Sequence, residues 1–133
     1  MLLLLDFDHF KPINDSAGHA AGDRVLVSAV PALQAAAGSN SLVARFGGEE
    51  FAVLFLADDA SSIQIAEAIR RAAGAAGSEA LGRTVTAFAG MCRQVHSELK
   101  TQDPQSAIVH ALSVADQALY RAKNAGRDCL KWE

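Results

Sequence analysis

Asp6 follows four consecutive leucines, Leu2-Leu3-Leu4-Leu5, and is itself followed by Phe7 and a second carboxylate, Asp8. A carboxylate at the end of an apolar run is costly to desolvate unless positive charge lies opposite it. A second acidic pair closes the segment Gly47-Gly48-Glu49-Glu50. Adjacent carboxylates on a tight turn repel each other, and a turn built only for stability more often carries Asn-Gly or Asp-Gly. Gly47 and Gly48 let a ligand approach the backbone closely. Asp6 and Glu49, with Glu50 beside them, would form a hard oxygen site suited to Mg²⁺, completed by a phosphate-bearing substrate. A capping Asp and a plain surface hairpin are the competing explanations at this level.

The common nucleotide-binding loops are missing: the chain has neither GxxxxGK[ST] nor a GxGxxG after a strand. Phosphate contacts would fall to the free N–H groups of a helix start near His9 and Phe10, with Lys11. A second source is the run from Tyr120 to Arg127, where Lys123 and Arg127 stand four apart around a helix terminus. Helix C-termini also attract cations through the dipole alone. Asn14 and Asp23 lie in a polar segment around Gly18-His19. The N1–H and N2–H₂ edge of guanine calls for a carboxylate, with an amide for the remaining groups. Both residues are equally ordinary in turns and caps, and Asp8 reads as the N-cap of the next helix. His19, His96 and His110 lack paired spacing and read as structural or surface residues.

These side chains need a frame. Leu2–Leu5 has the continuous apolar character of a central strand covered on both faces. A short helical turn follows from near Asp8 to Asp15-Ser16, broken by Gly18. Val25, Leu26, Ala29, Val30 and Leu33 give helical spacing up to Ala37, with Pro31 expected to kink or split that helix near Val27. The runs 42–46 and 51–56 form a hairpin around the glycine-containing turn. Ser61-Ser62 is placed as the cap of a helix that buries Ile65, Ala66, Ile69 and Ala73. A strand over 84–91, a helix with Ile108, Leu112, Ala115, Leu119 and Ala122 on one side, and a last strand over 129–132 complete the chain. The order β-α-α-β-β-α-β-α-β predicts an α/β (α+β) sandwich on a mixed, mainly antiparallel five-stranded sheet.

The 133 residues form a single domain by size. Half are apolar and a fifth charged, as in a globular domain with a true core. Twelve Lys and Arg against 15 Asp and Glu leave a net charge of −3, which argues against nucleic-acid binding. Cys92 and Cys129 have no metal or disulfide spacing, so a reducing, cytoplasmic compartment is expected. Four leucines are far too few to span a membrane. A strand starting at residue 2 reads as a fragment cut close to the fold.

Three segments resemble the GGDEF domain family of diguanylate cyclases. Leu4-Leu5-Asp6-Phe7-Asp8-His9-Phe10-Lys11-Pro12-Ile13-Asn14-Asp15, followed by Gly18-His19-Ala20-Ala21-Gly22-Asp23, is similar to the first half of such a domain. Arg45-Phe46-Gly47-Gly48-Glu49-Glu50-Phe51 resembles its signature in the GGEEF form. Ala115–Asp128 resembles its closing helix motif. The resemblance spans the whole chain and implies a palm-like nucleotidyl cyclase fold that condenses two GTP into cyclic di-GMP, releasing two pyrophosphates. It implies Mg²⁺ (or Mn²⁺) on Asp6, the Phe7 carbonyl and Glu49, with Glu50 assisting the metal or deprotonating the attacking 3′-hydroxyl. It implies guanine on Asn14 and Asp23, and phosphates on the His9 and Phe10 amides, Lys11, Lys123 and Arg127. Catalysis would need a homodimer of facing half-sites, with a sensor or regulatory domain outside this chain. A non-catalytic GTP or cyclic di-GMP receptor, or a dimerisation module, is the alternative.

The chain departs from the family pattern in three places. The N-terminal helical segment with its DxLTGLxNR motif does not precede Leu2, so one side of the nucleotide pocket and part of the dimer support are expected to be missing. Gly38-Ser39-Asn40-Ser41 occupies the positions of the inhibitory RxxD, which ends five residues before the signature, so cyclic di-GMP is expected in the active half-site instead. Phe88 stands where the family commonly has Ser, which implies altered packing.

Overall fold

The computed structural model of the chain describes residues 1–93 and 103–133; His96 lies outside the described residues. The described elements are β1 (Leu2–Phe7), α1 (Phe10–Ala17), α2 (His19–Ala37), β2 (Leu42–Gly47), β3 (Glu50–Leu54), α3 (Asp59–Leu81), β4 (Ala87–Cys92), α4 (Pro104–Asn124) and β5 (Leu130–Trp132). The sheet runs β2-β3-β1-β4-β5, antiparallel throughout except for the parallel pair β4–β5.

The leucine run takes the central position because both of its faces are covered. Alternate residues of a strand point to opposite sides. Leu3, Leu5 and Phe7 enter the larger core with Val25 and Leu33 of α2, Phe51 and Val53 of β3, and Ile69 of α3. Leu2 and Leu4 enter a smaller core with Phe88, Cys92, Ala111, Ala115 and Leu119. Helices α2 and α3 therefore lie on one side of the sheet and α4 on the other.

The abundance of alanine has a geometric cause. A Cβ on Gly90 of β4 would lie 2.1 Å from the Leu119 nitrogen and 2.2 Å from the Ala115 oxygen, so α4 rests directly on the strand backbone. Small side chains dominate the face that meets the strand, with Leu119 buried beside them. Ala107, Ala111, Ala115, Ala118 and Ala122 are fully buried, while Ile108 and Leu112, expected on the core face, are half-buried at its margin.

Four local expectations are corrected. Helix α2 is not split at Pro31 but runs unbroken to Ala37. Proline removes a donor to the carbonyl four residues back; that residue, Val27, is exposed, and water can take the bond. Helix α3 is capped by Asp58, whose carboxylate accepts the Ser61 N–H at 2.7 Å, and not by Ser61-Ser62. Helix α1 is preceded by His9 at a left-handed φ of 53°, so Asp8 is not its cap. Strand β4 begins at Ala87 and not at Thr84, because the Val85 N–H is taken by the Ser78 hydroxyl of α3 at 2.8 Å.

Candidate functional site

The register of β1 places Asp6 directly opposite Glu50 on β3 and Phe88 on β4. Directly paired residues share a sheet face, so Phe88 packs beside Asp6 on the side that carries α4. Burial first, and then the nearby Glu49 and Glu50, push the Asp6 carboxyl up to about 7 against the pull of Lys123 and the Phe7 amide. Its Oδ1 is buried without a hydrogen-bond partner. A half-buried carboxylate crowded by two others and left with a bare oxygen has the electrostatics of a cation ligand. Among the described residues, no three His, Cys, Asp or Glu side chains form a metal-holding group. The oxygen donors brought together here are the carboxylates of Asp6 and Glu49, hard ligands of the kind a divalent ion takes.

The β2–β3 turn is built to present Glu49. Gly47 pairs with Glu50, leaving Gly48 and Glu49 at the tip, and a register irregularity lies between Arg45 and Gly47. Such bulges re-aim side chains beside functional sites. Neither Gly47 nor Gly48 adopts a positive φ. At Gly47 the use is space: a Cβ there would stand 3.2 Å from Glu50 Oε2, whereas one on Gly48 would meet nothing within 4 Å. Arg45 donates from Nε and Nη2 to the Gly48 carbonyl at 2.9 and 2.7 Å, pinning the tip from outside.

Three concave regions meet at these carboxylates. One of about 220 Å³ is lined by Asp6, Phe7, His9, Phe10, Lys11, Glu49, Phe88, Lys123 and Arg127, uniting the expected metal and phosphate residues. A second, of about 370 Å³, is lined by Asn14, Asp23, His19, Arg45, Gly48 and Glu49, with Phe10 and Lys11 shared between the two. A third, of about 410 Å³, lies on the α4 side with Asp6, Glu50, Phe88, Tyr120 and Lys123. Every residue singled out for chemistry thus lies in one of these regions or, for Gly47, in the turn that shapes them. His19, expected to be structural or superficial, lines the second.

Local packing explains how the pieces are held. Phe10 is buried with its ring centroid 6.2 Å from that of Phe7, which anchors the turn carrying the His9 and Phe10 amides. No side chain caps α1, so its first N–H groups keep their donor capacity. Gly22 lets α1 approach α2: a Cβ there would stand 2.0 Å from Asn14 Oδ1, so the amide of Asn14 rests on the glycine next to Asp23. Asp8 is buried, accepts the Thr86 hydroxyl, and accepts the Asp128 N–H at 3.1 Å. Sequence reasoning missed the roles of Gly22, Arg45, Phe88 and Asp8. A glycine inside a helix costs about 1 kcal/mol relative to alanine, and that cost at Gly22 was the available signal.

A mixed, mainly antiparallel sheet whose central strand ends in an acidic centre beside three concave regions defines an α+β domain. The family profile described as diguanylate cyclase, GGDEF domain, matches residues 1–129, and the chain belongs to the GGDEF domain family. Diguanylate cyclase DgcP of Pseudomonas aeruginosa is 40% identical over 134 residues, covering 98% of this chain and 19% of that protein. Diguanylate cyclase TpbB of the same species is 38% identical over 128 residues, covering 95% and 28%. The chain thus spans less than a third of either relative. The active GGEEF domain of a diguanylate cyclase from Vibrio cholerae superposes with a TM-score of 0.80 at 29% identity, covering 98% of this chain and 80% of that one. The GGDEF domain of DgcB from Caulobacter crescentus, in complex with c-di-GMP, gives a TM-score of 0.75 at 28% identity, covering 98% and 75%. The expected fold, a mixed and mainly antiparallel five-stranded sheet flanked by helices, is the fold of this family.

Proposed function

We propose that this chain is the catalytic domain of a diguanylate cyclase, condensing two GTP into cyclic di-GMP. One observation carries the proposal: Asp6, paired with Glu50 and crowded by Glu49, lines a phosphate-sized crevice that shares Phe10, Lys11 and Glu49 with a base-sized one. Asn14 and Asp23 bind the guanine edge, amide and carboxylate against its donors and acceptor. The His9 and Phe10 amides with Lys11 hold the phosphates from one side, and Lys123 and Arg127 from the other. Asp6, the Phe7 carbonyl and Glu49 hold Mg²⁺ or Mn²⁺, which when bound acidifies the attacking hydroxyl and offsets charge on the phosphate. Glu50 accepts the 3′-hydroxyl proton or supports the metal ligands. The 3′-oxygen bonds to the α-phosphorus of the second GTP and pyrophosphate leaves; the 3′-oxygen of the second nucleotide then bonds to the α-phosphorus of the first, closing the ring as the second pyrophosphate leaves.

Each chain supplies one half-site, so the reaction runs in a homodimer. Cyclic di-GMP carries the same guanine and phosphate groups as substrate, and Gly38–Ser41 lacks the arginine and aspartate of an RxxD site. Product therefore competes with GTP in the half-site. GTP as substrate places the domain in the cytoplasm; among the described residues no helix is long and apolar enough to cross a membrane. Phosphorus NMR of the purified chain with GTP and Mg²⁺ tests the reaction. Pyrophosphate and a cyclic phosphodiester growing together at two to one support it. Slow hydrolysis to GDP and phosphate would contradict it.

A further inference from the structure

Asp8 lies two residues beyond Asp6 yet belongs to neither crevice. Its side chain is 6% exposed, and a single oxygen, Oδ2, accepts both the Thr86 hydroxyl and the Asp128 N–H. Its own N–H donates to the Thr86 carbonyl at 2.9 Å. Three segments distant in sequence are thereby joined at one carboxylate: the β1–α1 turn, the lead-in to β4, and the turn after α4. Two of these carry walls of the phosphate-sized crevice, His9 to Lys11 in one and Arg127 in the other. Both walls hold non-glycine residues in the left-handed region, His9 at φ 53°, Arg127 at 63° and Asp128 at 41°. Such conformations persist only where surrounding contacts over-determine them. Asp128 is tied further, through its carboxylate, to the buried guanidinium of Arg70 on α3.

We propose that Asp8 is a positioning residue that fixes the distance between the two walls of the phosphate cradle. The inference rests on the reading of that crevice as the GTP phosphate site, and it assigns Asp8 no contact with substrate or metal. A buried carboxylate held by a hydroxyl and a backbone N–H is a stiff link, because losing either bond leaves a buried polar group unpaired. Asp8 Oδ1 has no partner. An asparagine could therefore keep both bonds on its carbonyl oxygen and place its amide nitrogen in the unpartnered position.

The test compares GTP with guanosine, a probe of the base crevice alone, by ligand-observed NMR titration in calcium without turnover. In Asp8→Ala, GTP affinity is expected to fall about tenfold or more, the loss of one or two charge-assisted contacts. Guanosine affinity should stay within about twofold, and Asp8→Asn should restore most of the GTP affinity. Equal losses for GTP and guanosine, or no loss for either, overturn the positioning role. If Asp8→Ala does not fold, Thr86→Val decides by the same comparison, since it removes one bond and keeps the carboxylate. Wild-type protein that binds guanosine and GTP equally overturns the phosphate-site reading itself, a result distinct from unchanged variants of a GTP-binding wild type.

Discussion

Asp6 and Glu50 face each other across β1 and β3, so two carboxylates share one face of the sheet at a directly paired position. Like charges so placed destabilise a sheet. The fold accepts that cost where the central strand meets its crevice; the pKa of Asp6, raised to about 7, reflects burial first, then Glu49, then Glu50.

Asp6→Asn should therefore stabilise the metal-free protein near pH 8. The folded-state pKa lies above the unfolded value, so the native state binds the extra proton. Stability is greatest below about pH 4 for this group and is lost as pH rises through 7. Thermal unfolding in chelator should show the variant melting several degrees higher near pH 8, with the gap closing near pH 5. Equal gains at both pH values would show that ionisation of Asp6 is not the cause.

Gly22→Ala should damage base recognition before it damages the fold. The new methyl would meet Asn14 Oδ1 at 2.0 Å and the Phe10 ring at 3.1 Å. The end of a side chain moves more cheaply than backbone, so Asn14 is displaced and α1 shifts slightly from α2. The expected cost is about 1–2 kcal/mol in stability, with a larger loss in the preference for GTP over ATP. Competition binding of the two nucleotides measures that ratio; an unchanged ratio would remove Asn14 from base recognition.

Arg70 ties α3 to the start of β4 and to the turn after α4. It is 6% exposed, donates to the Ala87 carbonyl at 2.7 Å, and pairs with Glu67 and Asp128. Arg70→Met should cost about 2–3 kcal/mol in urea unfolding near pH 7, at the low end for a broken buried pair because its partners are partly exposed. The Arg70 hydrogen bond holds the Glu67 carboxyl below its usual range. That stabilisation is present above the unfolded value and fades as pH falls through the folded one. The difference between wild type and variant should shrink below about pH 4, and a constant difference would assign the effect to packing.

Much of this was legible in the sequence because it follows from polarity breaks. Four leucines ending in Asp6 mark a central strand meeting a crevice, and Glu49-Glu50 after two glycines marks an acidic turn. The order of elements follows from the same apolar periodicities. What stayed hidden depends on distances between segments. Asp8 looks like a helix cap until Thr86 and Asp128 are seen beside it. Pro31 looks like a break until Val27 is found exposed, where water can take its carbonyl. Phe88 gains meaning only when the β1–β4 register sets it against Asp6. The alanines of α4 gain their reason from Gly90, which lets the helix backbone at Ala115, Ala118 and Leu119 rest directly on β4.

The most direct test of the central claim is product analysis by chromatography with mass detection. Purified chain is incubated with GTP and Mg²⁺ at concentrations that favour dimers, beside Glu49→Ala. Cyclic di-GMP from the parent and none from Glu49→Ala is the predicted result. GTP that binds but stays unconverted in both, even with added N-terminal sequence from a diguanylate cyclase relative, would contradict catalysis and leave a nucleotide receptor in its place.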